Sequence, residues 1–191
     1  MTDLPAPRVL DAPVGDLVVE LAEHLGVDAV VDLCVQLLEG ADRADHADAM
    51  PYFTGLVFEK GSPTTDPKHW KDYWVRTWGA RGLLYVWDDS AASAVIAGLD
   101  DEHWRPAEMC LKVSTKRQLG QAGPRAAELA VEGELPRVRV QALRSLGAVG
   151  DTEHIAVVQR CLDAEEPAVR RQAGRSLEQL ARRLDVDAEP W

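Results

Sequence analysis

Two segments of this chain carry one pattern at a constant offset of 31: Pro136-x-Val138-Arg139-x-x-Ala142-x-Arg144-Ser145-Leu146 and Pro167-x-Val169-Arg170-x-x-Ala173-x-Arg175-Ser176-Leu177. A step of 32 back from Val138 reaches Pro106, followed by Cys110, Leu111 and Lys112, and a further 31 reaches Val75-Arg76-x-x-Gly79-Ala80-Arg81-x-Leu83. A period of this size belongs to stacked supersecondary units, each too small to bury its own apolar face.

Each unit reads as two helices. Val138, Ala142 and Leu146 recur at helical spacing, Gly147 and Gly150 interrupt, and Asp151-Thr152 can cap a second helix with Ile155, Val158 and Leu162 on one face. The first unit repeats the plan with Val75, Gly79, Leu83 and Val86, a cap at Asp88-Asp89-Ser90, and then Val95 and Leu99. Pro106, Pro124, Pro136 and Pro167 lie where helices should start, since proline presets φ and lacks the N–H that a first turn leaves unused.

From Trp70 to Leu184 the chain resembles the HEAT-repeat family, in the short-repeat form also found in phycobilisome lyase-like proteins of bacteria. The residues that carry the resemblance are Val138-Arg139-x-x-Ala142 with Asp151, Val169-Arg170-x-x-Ala173, and Val75-Arg76 with Asp88. It weakens in the second repeat, where Pro106-Ala107 stands in place of Val-Arg. The resemblance implies an all-α fold, a right-handed α-solenoid with the N-terminal helices as its cap. It also implies that Arg76, Arg139 and Arg170 are structural, bonding the loops of their own or adjoining repeats. The expected organisation is an acidic helical cap with a linker loop over 1–69 and repeats at about 73–103, 104–135, 136–166 and 167–184. An acidic tail over 185–191 follows, all within one structural domain.

With 191 residues and 46% hydrophobic content, the chain can build a substantial core without a metal or disulfide. Met1 to Pro13 is acidic and proline-bearing, unlike a targeting segment, and no apolar run reaches membrane-span length. Cys34, Cys110 and Cys161 are distant from one another among apolar residues, which predicts buried free thiols in a reducing cytoplasm. Arginine outnumbers lysine and Ala, Val, Asp and Gly abound, the usage of a high-GC bacterium. Residues 1–72 carry 14 acidic against 5 basic side chains, and 73–191 carry 18 against 16, so the net −11 sits mostly in the N-terminal third. That balance disfavours nucleic acid as a partner, because phosphate binding needs many cations to displace counterions.

In the N-terminal third, Leu17, Val18, Leu21 and Leu25 predict one amphipathic helix and Val30, Val31, Cys34, Leu37 and Leu38 a second. Gly26 lies between them, Asp28 is a candidate cap and Gly40 a terminator. Asp42 to Asp48 reads as a solvated acidic run; its His46 and aspartates present no ligand set of fixed geometry for a metal. Tyr52, Phe53, Leu56, Val57 and Phe58 form an apolar patch suited to covering the end of a repeat, and Glu59 to Pro67 reads as a linker.

Aromatic residues cluster: Trp70, Trp74, Trp78, Trp87 and Trp104 lie within 35 positions, with Tyr73 and Tyr85 among them. On a continued helix, Trp74, Trp78, Arg81 and Tyr85 follow i, i+4, i+7, i+11 and form a stripe beside the core. Later repeats place Arg105, Met109, Lys112 and Lys116 there, then Arg137, Gln141 and Arg144, so the stripe turns from aromatic to basic. One reading makes it the flank that packs on the next repeat or on the cap. The other makes Trp74, Trp78 and Tyr85 the floor of a groove continued by the column Arg81, Lys112, Arg144 and Arg175, which would take an acidic peptide or an anionic ligand; Trp, Tyr and Arg are the side chains enriched at binding hot spots.

Catalytic chemistry finds little footing. His24, His46, His69, His103 and His154 are scattered singly, no glycine-rich phosphate loop is present, and no cofactor motif is found. Ser145 and Ser176 recur with the repeat and so serve it. Some HEAT-like solenoids are DNA glycosylases that hold a base against Trp and Asp, which Trp78 with Asp72, or Trp87 with Asp88 and Asp89, superficially resembles. The expectation is therefore a non-catalytic binding or scaffold protein of the cytoplasm, recognising a protein or acidic peptide with no membrane contact. The alternative is a HEAT-like enzyme of the glycosylase or lyase kind. The sequence sets no oligomeric state.

Overall fold

The computed structural model describes residues 4–57 and 71–186; Phe58, the linker, His69, Trp70 and most of the acidic tail lie outside the described residues. Every regular element among the described residues is helical. The chain divides into two compact units, Met1–Gly98 and Leu99–Trp191.

The N-terminal unit contains α1 (Val14–Leu25), α2 (Val27–Leu38), α3 (Met50–Thr54), α4 (Tyr73–Gly82) and α5 (Ala92–Ala97). Gly26, at φ 86°, is the single residue between α1 and α2 and occupies the capping position of α2. Asp28 therefore makes no cap and sits inside the first turn, where a carboxylate favours the positive end of the helix dipole. Gly40, at φ 97°, lies two residues beyond the end of α2, in a backbone region that other residues adopt only at a steric cost. Leu17, Val18 and Leu21 of α1 and Val30, Val31, Cys34 and Leu37 of α2 are fully buried or nearly so, as are Tyr52 and Phe53 of α3. Leu56 and Val57, expected in the same patch, are exposed.

Helix α4 packs on α2 through glycine. A Cβ on Gly79 would lie 2.5 Å from the Cys34 carbonyl oxygen and 2.6 Å from the Leu38 nitrogen. One on Gly82 would collide with Cys34 Sγ and stand 2.7 Å from the Phe53 ring. Gly79 holds the position that Ala142 and Ala173 hold in the later repeats, and the closer partner backbone explains the smaller residue.

The C-terminal unit alternates long first helices, α6 (Trp104–Arg117), α8 (Pro136–Val149) and α10 (Pro167–Leu184), with shorter second ones, α7 (Gly123–Glu132) and α9 (Ile155–Arg160). Helices α4, α6, α8 and α10 begin at Tyr73, Trp104, Pro136 and Pro167. Pro124, Pro136 and Pro167 stand in the opening turns of α7, α8 and α10, and Pro106 is the third residue of α6, still within its first turn. Asp151 caps the turn before α9: its carboxylate accepts from Thr152 N at 2.7 Å, and His154 Nδ1 accepts from Asp151 N at 2.9 Å.

The repeated apolar stripes of the first helices form a buried seam. Val138, Ala142 and Leu146, and then Val169, Ala173 and Leu177, are all buried, and each such Val or Leu contributes about 1.5–3 kcal/mol by leaving water. Gly147 lets α8 approach α10 so closely that a Cβ would meet Ser176 Cα at 3.2 Å. Ser145 and Ser176, the recurring serines, are both fully buried in this region, where only a small side chain fits. In this unit the chain builds a HEAT-type α-solenoid stack, with α10 as its terminal half-repeat.

Candidate functional site

Along the first helices of the C-terminal unit, charge is sorted. Helices α6, α8 and α10 carry four, three and five Lys or Arg, twelve together, against two acids, Glu108 and Glu178. Residues 99–191 as a whole hold 14 basic and 16 acidic side chains, so fourteen of those acids lie in the second helices, loops and ends. The sorting accompanies the repeat: a first helix buries its Val-Ala-Leu stripe and leaves other positions, several of them Lys or Arg such as Arg137, Arg144 and Arg175, to water.

Cross-helix bonds bind the three helices into one surface. Arg137 of α8 reaches Glu108 of α6 at 2.9 Å, and Lys112 Nζ approaches the same carboxylate at 3.1 Å. Glu108 is 8% exposed and so is held as the shared anion of two cations. Arg144 Nε donates to Gln172 Oε1 of α10 at 3.2 Å and its Nη1 to Gln141 Oε1 at 3.4 Å. Trp104, at the start of α6, has two guanidinium groups over its ring, those of Arg105 and Arg137, each 4.5 Å from a ring centroid. The sequence placed Arg105 and Arg137 in the stripe but did not reveal the node that Trp104 and Glu108 make with them. Its only signal was the 32-residue offset between the two arginines.

Of the candidate residues named from sequence, Lys112, Arg144 and Arg175 belong to this surface; Arg144 and Arg175 are exposed, and Lys112 is half-buried. Trp74, Trp78, Arg81 and Tyr85 belong to the N-terminal unit. Trp74 and Trp78 stack with ring centroids 6.2 Å apart, Trp74 half-buried and Trp78 only 6% exposed. Arg81 is half-buried. Helix α4 ends at Gly82, so the stripe does not run on to Tyr85 at helical register. The Tyr85 ring instead packs over Gly15 at the start of α1, where a Cβ would lie 2.7 Å from Cε1.

Two of the repeat arginines, Arg139 and Arg170, bond loops. Arg139 Nε donates to the Ala130 carbonyl at 3.1 Å and its Nη1 pairs with Glu166 at 2.9 Å, tying α8 to the end of α7 and to the turn before α10. Arg170 Nη1 donates to the carbonyls of Ala164 and Glu165, both at 2.7 Å. Arg76 of α4 is half-buried.

Asp88 and Asp89, beside Trp87, make local hydrogen bonds. Asp88 caps the turn at Asp89–Ala91 by accepting from Ser90 N at 2.9 Å, and these hydrogen bonds from Ser90 hold its carboxyl below the usual range. Asp89 accepts from Trp87 Nε1 at 2.9 Å. All three cysteines are buried free thiols. Burial pushes the thiols of Cys34, Cys110 and Cys161 up, away from the reactive thiolate. Among the described residues, no cluster of three or more His, Cys, Asp or Glu side chains is arranged to hold a metal. None of the helices among them is long and apolar enough to cross a membrane.

Residues 123–188, about a third of the chain, match the family model for HEAT repeats. The match begins at α7 and runs through α8, α9 and α10, the part in which the repeat motif is clearest. It supports a HEAT-repeat protein. No curated protein matches the chain.

Proposed function

We propose that this chain is a non-catalytic binding or scaffold protein that recognises an acidic segment of a protein partner on the outer face of α6, α8 and α10. The observation that carries this reading is the charge sorting: twelve cations against two acids on three adjacent first helices of a chain whose net charge is −11. A surface of that sign attracts carboxylates at close range, while the overall negative charge keeps polyanions such as duplex DNA at a distance. The support for a groove of aromatic floor and basic wall is narrower. Arg144 and Arg175 are exposed and Lys112 is half-buried, which supports the basic wall, whereas Trp78 is buried. HEAT repeats, in the short form that the motif resembles, generally serve protein contacts, and buried reduced thiols suit the cytoplasm.

A titration of the full chain with a fluorescent peptide rich in Asp and Glu tests the reading. Exchanging Arg144 and Arg175 together for Gln should weaken binding about tenfold, the effect of losing roughly 1.4 kcal/mol of charge contact, and should leave the unfolding transition unchanged. A duplex DNA control should stay flat at physiological salt. Equal peptide affinity in the double variant, or tighter binding to DNA than to peptide, would overturn it.

A further inference from the structure

In the N-terminal unit, independent of the basic face, the turn after α2 and the first turn of α4 enclose a recess of ≈ 340 Å³, lined by Gly40, Asp42, Arg43, Asp72, Val75 and Arg76. Arg43 stands in what reads as a solvated acidic run, yet it is 2% exposed. Neither its Nε nor its Nη2 has a hydrogen-bond partner. A guanidinium stays charged at every physiological pH, and one removed from water needs a counter-charge with good geometry. These two nitrogens share one edge of the planar group, so their N–H bonds run parallel, the arrangement that meets both oxygens of a carboxylate at once. The neighbouring acids do not supply it. Asp42 Oδ1 accepts from Ala44 N at 2.8 Å, and Asp42 and Asp72 are both exposed.

We propose that the recess is a binding site for a single carboxylate, taken in two-point contact by Nε and Nη2 of Arg43. Charge selects the ligand class. Arg43 and Arg76 are matched in number by Asp42 and Asp72, so the site tolerates a monoanion and its rim repels a dianion such as phosphate. The volume suits the carboxylate end of a small organic acid. Because both nitrogens are covered, the guanidinium turns slightly into the recess as the ligand enters.

The test follows the arginine Nε–H resonances of the full, nitrogen-15-labelled chain during titration with sodium acetate, with ionic strength held constant by chloride. The Arg43 signal, assigned by its disappearance in Arg43→Lys, should shift saturably at millimolar acetate, and phosphate should bind at least about fivefold more weakly. Asp72→Asn, on the exposed rim, should tighten acetate about two- to threefold. An Arg43 signal that ignores acetate, or that responds equally to chloride, would overturn the proposal. So would one displaced in Asp42→Asn before any acetate is added, since Asp42 would then already be its partner. Should Arg43→Lys fail to fold, through-bond spectra of the native chain assign the signal and the Asp72→Asn comparison decides, an unchanged acetate affinity counting against the site.

Discussion

The contact between α2 and α4 can be tested with one methyl group. In Gly79→Ala the new Cβ would stand 2.5 Å from the Cys34 carbonyl oxygen, 2.6 Å from the Leu38 nitrogen and 2.9 Å from Leu37 Cβ. Ordinary contacts begin near 3.4 Å, and two of these three atoms are backbone, so no rotamer change relieves the clash and α4 must move away from α2. Overpacking of this kind costs about 1–3 kcal/mol, and the rigid partner places Gly79 at the upper end. Alanine's better helix propensity returns about 1 kcal/mol, leaving a net loss of about 2 kcal/mol. Gly174→Ala is the matched control. It lies inside α10 and its Cβ would find nothing closer than Leu162 Cδ2 at 4.0 Å, so propensity alone acts and the variant should gain about 0.5–1 kcal/mol. Urea unfolding of both variants, followed by circular dichroism, gives the two signs. A Gly79→Ala protein as stable as the parent, or two variants shifted alike, would show that α2 and α4 do not meet as described.

Arg139→Ala removes a hydrogen bond to the Ala130 carbonyl and an ion pair with Glu166 from a side chain that is 17% exposed; its unfolding free energy should fall by about 1.5–3 kcal/mol. Arg170→Ala, whose contacts are exposed, should lose less in the same urea assay, and a reversed order would refute the loop-bonding role. The thiols give a pH signature. Their folded pKa values are raised by burial, so the stability they contribute is complete below the unfolded thiol pKa of about 8.5 and declines as pH rises above it, by up to about 1.4 kcal/mol per pH unit for each thiol that stays protonated in the folded chain. Urea midpoints measured between pH 8 and 10 should therefore fall, and an aromatic disulfide reagent at pH 8 should react only after unfolding. Rapid reaction of the native protein would place a cysteine at the surface.

The repeat was legible because a constant offset survives every local irregularity: Val138 and Val169, Ala142 and Ala173, Leu146 and Leu177 are buried at corresponding positions of successive first helices. Proline, with Asp88 and Asp151, marked helix starts, since each acts through its own backbone or that of a residue one or two positions on. What stayed hidden depends on contacts between distant positions. The run from Asp42 to Asp48 reads as uniformly solvated, and nothing in its composition says that Arg43 turns inward. The aromatic stripe failed at Tyr85 because extrapolating i+11 assumes the helix continues, and α4 stops at Gly82.

The basic surface was partly visible for the same reason that the seam was. A repeat that fixes which side of each first helix is buried also fixes the register of the rest, so Lys112, Arg144 and Arg175 align in the sequence itself. Their cost and their use differ from residue to residue. Lys112 is held by Glu108, which neutralises part of its field, and a substitution there would free that carboxylate and let Arg137 take it alone. Arg144 is anchored by neutral Gln141 and Gln172, which orient its guanidinium without cancelling its charge. An oriented, uncancelled cation is the better recognition element, because less side-chain entropy is lost when a partner's carboxylate arrives and no internal ion pair has to break. Arg144 should accordingly dominate the surface. Exchanging it for Gln alone should account for more of the double variant's loss of peptide affinity than exchanging Arg175, and a larger loss from Lys112→Gln than from Arg144→Gln in the same peptide titration would refute this ordering.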